Sequence, residues 1–211
     1  MVEVVGFDLD EEALVRQLHS RFLADGYRLD ELDRIEKRVM DGYNGLVEPV
    51  LPKGARRLRS TLYLALPVPF TIVHELAHVA DIAVRQQETK DHISASMPDT
   101  WHLAHRLSSE YYANRVATGF CTDGEIFPAF QNDRIGMIAA AIKGQWADFL
   151  INYAMLLGIF HGLGRLDIEP LELLPDAHTD RLPDPVIRGM SAFRRQADHF
   201  FQTYGEELVP A

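Results

Sequence analysis

From Phe70 to Val84 the polar residues are Thr71, His74, Glu75, His78 and Asp81, and every other position is apolar. At 100° per residue these five fall within a stripe roughly 120° wide. A surface helix carries an apolar stripe on a polar body, whereas this segment reverses the arrangement. The pattern predicts a helix buried nearly all round, with its polar stripe turned toward an internal cleft.

The same reading gives the other elements. Glu11 to Leu23 has helical periodicity, and Asp30 to Met40 reads as a second helix ending near Gly42. Asn44 to Gly54, with Pro49 and Pro52, reads as a loop, and Thr61 to Leu66 as a short strand before Pro67 and Pro69. Gln86 to Trp101 has few apolar anchors and contains Pro98, so it reads as a loop, a candidate lid over the cleft. A third helix follows over Leu103 to Phe120. Its inward stripe runs Leu103, Leu107, Glu110, Asn114, Ala117 and Cys121, so two polar residues stand where apolar ones belong. Asn132 to Gly164 holds one or two long apolar helices, and Pro185 to Tyr204 a final amphipathic one after the connector Leu182 to Asp184. The fold class expected is α+β, predominantly helical, in one domain over 1–211: a core at 55–125 and a helical part at 130–211 packed on it.

Composition narrows the class of protein. Of 211 residues, 47% are hydrophobic and 25% charged, which is ordinary for a globular chain. Acidic residues outnumber basic ones by 31 to 21, a formal charge of −10, which disfavours a broad nucleic-acid footprint. Lys53, Arg56, Arg57 and Arg59 form the one compact basic cluster and read as a solvated loop. The segment Met1 to Asp10 lacks a basic region followed by an apolar core, so no secretory signal is read and a cytoplasmic location is expected. The lone Cys121 excludes an intrachain disulfide and a thiolate zinc site. Phe149 to Leu163 contains Asn152 and His161 and falls short of the ~20 apolar residues of a membrane span, so it reads as a core helix or a dimer face. Oligomeric state stays open.

The candidate chemistry lies on the first helix described. His74-Glu75-Leu76-Ala77-His78 is an HExxH pattern. Residues four apart share a helix face, so two imidazoles can hold one zinc ion while Glu75 stands beside it to take a proton from water. Core histidines satisfied by hydrogen bonds are the alternative, and that alternative gives Glu75 no role. Catalytic zinc takes three protein ligands and keeps a place for water. Glu110 is the choice for the third, with His92, His102 and His105 as rivals. Asn114, one turn after Glu110, and Asp81 are candidates to accept ring N–H groups of the ligating histidines and fix their tautomers.

HELAH followed by Glu110-Tyr111-Tyr112-Ala113-Asn114-Arg115-Val116-Ala117 resembles the small gluzincin metallopeptidases, in particular the ImmA/IrrE-like family with its later E-x-x-A-N-x-x-A helix. The likeness spans about Thr61 to Gly119. It implies a minimal zincin-like core, a short sheet with two ligand-bearing helices, extended by helices at both ends. It also implies Zn2+ on His74, His78 and Glu110, with Glu75 as general base. The expected function is a zinc-dependent endopeptidase acting on a restricted intracellular protein or peptide substrate, without nucleic acid or membrane. From another class, a non-proteolytic zinc-binding regulatory protein on the same scaffold is the alternative. Tyr111, Tyr112, Arg115, Tyr153, His161 and His178 are candidates for a second oxyanion donor. The strand at Thr61 to Leu66 is expected to line the cleft and pair with an extended peptide.

Overall fold

The computed structural model describes residues 2–208, and their side chains except at 177 and 198–208. The protein is α+β and mostly helical, with one small mixed sheet. Its backbone packs into two compact units, one running to Met97 and including 205–208, the other Pro98–Tyr204.

In the first unit the order is β1 (Glu3–Val5), α1 (Leu9–Ala24), β2 (Leu32–Lys37), β3 (Gly45–Val50), β4 (Arg59–Leu64), α2 (Pro69–Val84) and α3 (Gln86–Ile93). The sheet order is β1-β2-β4-β3, parallel except that β3 runs antiparallel to β4. Helix α1 is announced by a capping box, in which Asp8 accepts from the Glu11 N–H and the Glu11 side chain accepts from the Asp8 N–H. Along β4 burial alternates, with Ser60, Leu62 and Leu64 inward, and α2 packs on β3, β4 and α1. Val15, Phe22, Ile35, Leu62, Ile72 and Leu76 are fully buried there.

Three expectations are corrected in this unit. Asp30 to Met40 forms no helix: Leu32–Lys37 is the strand β2. Its buried residues Leu32 and Ile35 are three apart, which imitates helical spacing. A register shift between Leu32 and Arg34 breaks the two-residue alternation and turns both side chains inward. Asn44 to Gly54 is not all loop, because Gly45–Val50 is the edge strand β3. Pro49 is tolerated there, since an edge strand can lack a donor without breaking a central ladder. Gln86 to Trp101 is not a loop either. Its first half is α3, held by polar tertiary contacts in place of an apolar stripe: the Gln86 Oε1 accepts from the Leu58 N–H at 2.8 Å, and Lys90 Nζ donates to the Arg56 carbonyl at 2.6 Å.

The basic cluster is also placed. Arg57 pairs with the buried Glu31, and Arg59 with Asp33, so both tie the start of β2 to β4. The hydrogen bond from Arg59 holds the Asp33 carboxyl below the usual carboxylate range. Because β4 is hydrogen-bonded to β2 on one side and β3 on the other, the expected peptide pairing has no edge on Thr61 to Leu66.

The second unit comprises α4 (Asp99–Phe120), α5 (Asp123–Lys143), α6 (Trp146–Gly162), a 3-10 turn at Pro170–Leu173, α7 (Asp176–Thr179) and, as far as Tyr204, α8 (Asp184–Leu208). The capping box of Thr122 and Glu125 starts α5 well before Asn132, and Gly144 closes it in the left-handed conformation at φ 68°. Helix α6 is the centre. Tyr153, Leu156 and Leu157 on α6, Tyr111 on α4, Met137 on α5 and Met190 and Phe193 on α8 form one buried cluster. Among the described residues no helix is long and apolar enough to cross a membrane.

Two glycines set how closely α6 meets α4. A Cβ on Gly158 would lie 2.4 Å from the Tyr111 carbonyl oxygen, and one on Gly162 would lie 2.7 Å from Thr118 Cβ. Backbone cannot yield as a side-chain tip can. Gly158→Ala should therefore destabilise the protein by about 1–3 kcal/mol, read as a lower urea midpoint at unchanged slope. Gly124→Ala, which meets nothing within 4 Å, should be neutral or stabilising by up to about 1 kcal/mol in the same measurement.

Candidate metal centre

Helix α2 opens with Pro69 at its first turn, where a missing N–H costs nothing, and Val68 precedes it in extended conformation. Phe70, Ile72, Val73, Leu76, Ala77, Val79 and Ala80 bury three sides of the helix against the sheet and α1. The polar stripe is the remaining side. Thr71, His74 and His78 are half-buried, while Glu75 and Asp81 are buried.

The two imidazoles converge: His74 Nε2 and His78 Nε2 lie 3.0 Å apart, and their rings stand at 85°. Two nitrogens bound to one tetrahedral zinc at ordinary Zn–N lengths would sit about 3.3 Å apart, so this spacing fits a shared cation. One ligand atom from each of His74, His78 and Glu110 lies within 4.8 Å of the other two. Such a group could bind a metal ion, and it is the one group of three or more metal-ligating side chains found among the described residues. His92, on α3, and His102 and His105, on α4, do not join it. Two neutral nitrogens and one carboxylate suit a borderline divalent cation by the chemistry of the donors. Glu110 is 18% exposed and lies 3.9 Å from Arg106, one turn earlier on α4.

Glu75 is 6% exposed and is crowded from the sheet side. An added Cβ on Gly45, the first residue of β3, would fall 2.5 Å from Glu75 Oε1. The carboxylate therefore rests against bare backbone. Nothing in the sequence marks this contact, because Gly45 lies in a stretch that reads as loop.

The residues expected to steady the histidines have strong partners of their own. Asp81 receives the Arg85 Nε–H at 2.5 Å and an Nη–H as well, both groups being buried, and Arg85 also reaches Glu88 at 3.2 Å. Burial alone would depress the Arg85 pKa, but the Asp81 charge and its hydrogen bonds outweigh that and hold it above the ordinary value. Asp81 and Arg85 stand four residues apart, one helical turn, at the end of α2, so the spacing makes this pair legible in the sequence. The Asn114 amide nitrogen donates to Asp133 Oδ2 at 2.9 Å and to the Met155 carbonyl at 3.0 Å, and Asn114 is wholly buried. Asp133 belongs to α5, and no local pattern announces it.

The candidates for a second oxyanion donor are mostly core groups. Tyr111 and Tyr112 are fully buried; Tyr111 Oη lies 2.7 Å from His161 Nδ1 and accepts from Arg115 Nη1 at 3.0 Å. Burial first, and the Glu169 carboxylate second, push the Tyr153 phenol far above its usual pKa, so it stays protonated. His178 sits on α7. Comparisons with family models, curated proteins and solved structures give no match.

Removing one member of the buried ion pair should be costly. Arg85→Met removes the cation paired with the buried Asp81 carboxylate and should lower stability by about 3–5 kcal/mol in urea unfolding. Adding Asp81→Leu to Arg85→Met should recover most of that loss; a double variant no more stable than Arg85→Met would contradict the pairing argument.

Proposed function

We propose that this chain is a zinc-dependent endopeptidase of the gluzincin type, related to the ImmA/IrrE-like peptidases through its HELAH motif and its Glu110-Tyr111-Tyr112-Ala113-Asn114 helix. The observation that carries the reading is the convergence of two imidazole nitrogens on one face of α2 with a buried glutamate between them in sequence. A structural zinc site, closed by four ligands, would have no use for Glu75.

His74, His78 and Glu110 would hold the ion. Zinc, when bound, supplies Lewis acidity and brings the pKa of a coordinated water near neutrality. Glu75 accepts a proton as a water oxygen bonds to the peptide carbonyl carbon. When the C–N bond breaks, Glu75 returns that proton to the leaving amine, so the carboxylate is regenerated. The outer edge of β3, which starts against Glu75, offers backbone donors and acceptors to an extended polypeptide, and this supports a protein or peptide as the substrate.

The test has two arms. Metal analysis of the purified chain should give one zinc per molecule, and His74→Ala or Glu110→Ala should weaken zinc binding at least about tenfold. Against a quenched-fluorescence peptide library, Glu75→Gln should keep its zinc and lose hydrolysis by about 100-fold or more. A Glu75→Gln protein as active as the wild type would overturn the peptidase reading and leave a metal-binding protein without proteolysis.

A further inference from the structure

We propose that Gly45 is a positioning residue for Glu75: the missing side chain at the head of the edge strand leaves the space that the carboxylate arm occupies. The inference concerns the contact itself and, resting on the peptidase reading, its effect on hydrolysis. An ideal Cβ on Gly45 would lie 2.5 Å from Glu75 Oε1, 2.6 Å from Cγ and 2.8 Å from Cδ. Contacts this short do not occur, so something must move. If the tip alone were in the way, rotating the carboxylate would suffice, but Cγ is also blocked. The whole arm has to swing about χ1, and on a helix only two of the three χ1 wells are readily open.

Neither backbone can withdraw instead. Gly45 pairs with Leu64 in the β3 and β4 ladder, and just before it the Asn44 carbonyl accepts from the Ala65 N–H at 2.8 Å. Strand β4 is in turn locked on its other side by β2, where Leu64 pairs with Lys37. Glu75 sits mid-helix, between Val73 and Leu76, which are wholly buried. The Gly45 backbone does not need φ > 0, since its dihedral is not among the left-handed ones. Conformational freedom is therefore no reason for glycine here. The reason is space, and the space belongs to Glu75.

Gly45→Ala tests this with two readouts. The midpoint of thermal unfolding of the Gly45→Ala chain should fall by roughly 2–4 °C or more, whereas in a Glu75→Ala background the same substitution should leave the midpoint unchanged or raise it. Kinetics of Gly45→Ala on the best-cut library peptide should show kcat reduced at least about tenfold with KM within about threefold of wild type, and zinc stoichiometry should stay at one. An equal midpoint loss in both backgrounds, or wild-type kcat in Gly45→Ala, would overturn the inference. Should the wild-type chain cut no peptide at all, the peptidase reading fails by itself. The unfolding comparison would still decide whether Gly45 makes room for Glu75.

Discussion

A helix that buries three sides has one side on which polar groups can survive, and α2 gathers its polar side chains there. Taking carboxylates and imidazoles out of water costs several kcal/mol apiece unless each finds a partner. The partners differ along the helix. At its end, Asp81 and Arg85 neutralise each other as a buried pair. In its middle, the two histidines meet each other nitrogen to nitrogen, an arrangement that a cation between them would satisfy far better than a shared hydrogen. Glu75 packs against the backbone of Gly45. One sequence stripe is thus divided between structural neutralisation and side chains that could bind a metal ion.

The second unit solves a different problem, how to seat polar residues on a helix that faces a core. Helix α4 carries Asn114 fully buried, and the amide nitrogen is met by Asp133 from α5 and the Met155 carbonyl from α6. Three helices are thereby cross-linked through one side chain. The glycines at 158 and 162 allow α6 to approach α4 closely enough for such bonds to form. Close packing of this kind fixes α4 along its length, and the short turn that carries Glu110 is held with it.

What could be read from the chain follows from how local each signal is. The α2 stripe, the break in pattern at Glu110 and Asn114, and the apolar run that became α6 all lie within single elements, so periodicity was sufficient to find them. Strand β2 was hidden because a bulge made Leu32 and Ile35 keep helical spacing, and a bulge exists only relative to a partner strand. Strand β3 was hidden by Pro49, which argues against a central strand but not against an edge. Helix α3 has no apolar stripe to announce it, being held through Gln86 and Lys90 by backbone groups near Arg56 and Leu58. The pair of Asp81 and Arg85 is legible by its spacing of four. Gly45 against Glu75 joins positions thirty residues apart, a proximity that no pattern within either segment encodes.

An exposed strand edge offers a row of backbone groups with which a second molecule of the same kind could pair. Strand β3 limits that hazard through its own residues. Pro49 removes one donor from the row, and the exposed Glu48 places a charge that an identical strand would oppose with its own. The usable stretch of β3 is then short and lies toward Gly45. Self-templated growth needs a long uninterrupted edge, and β3 does not offer one.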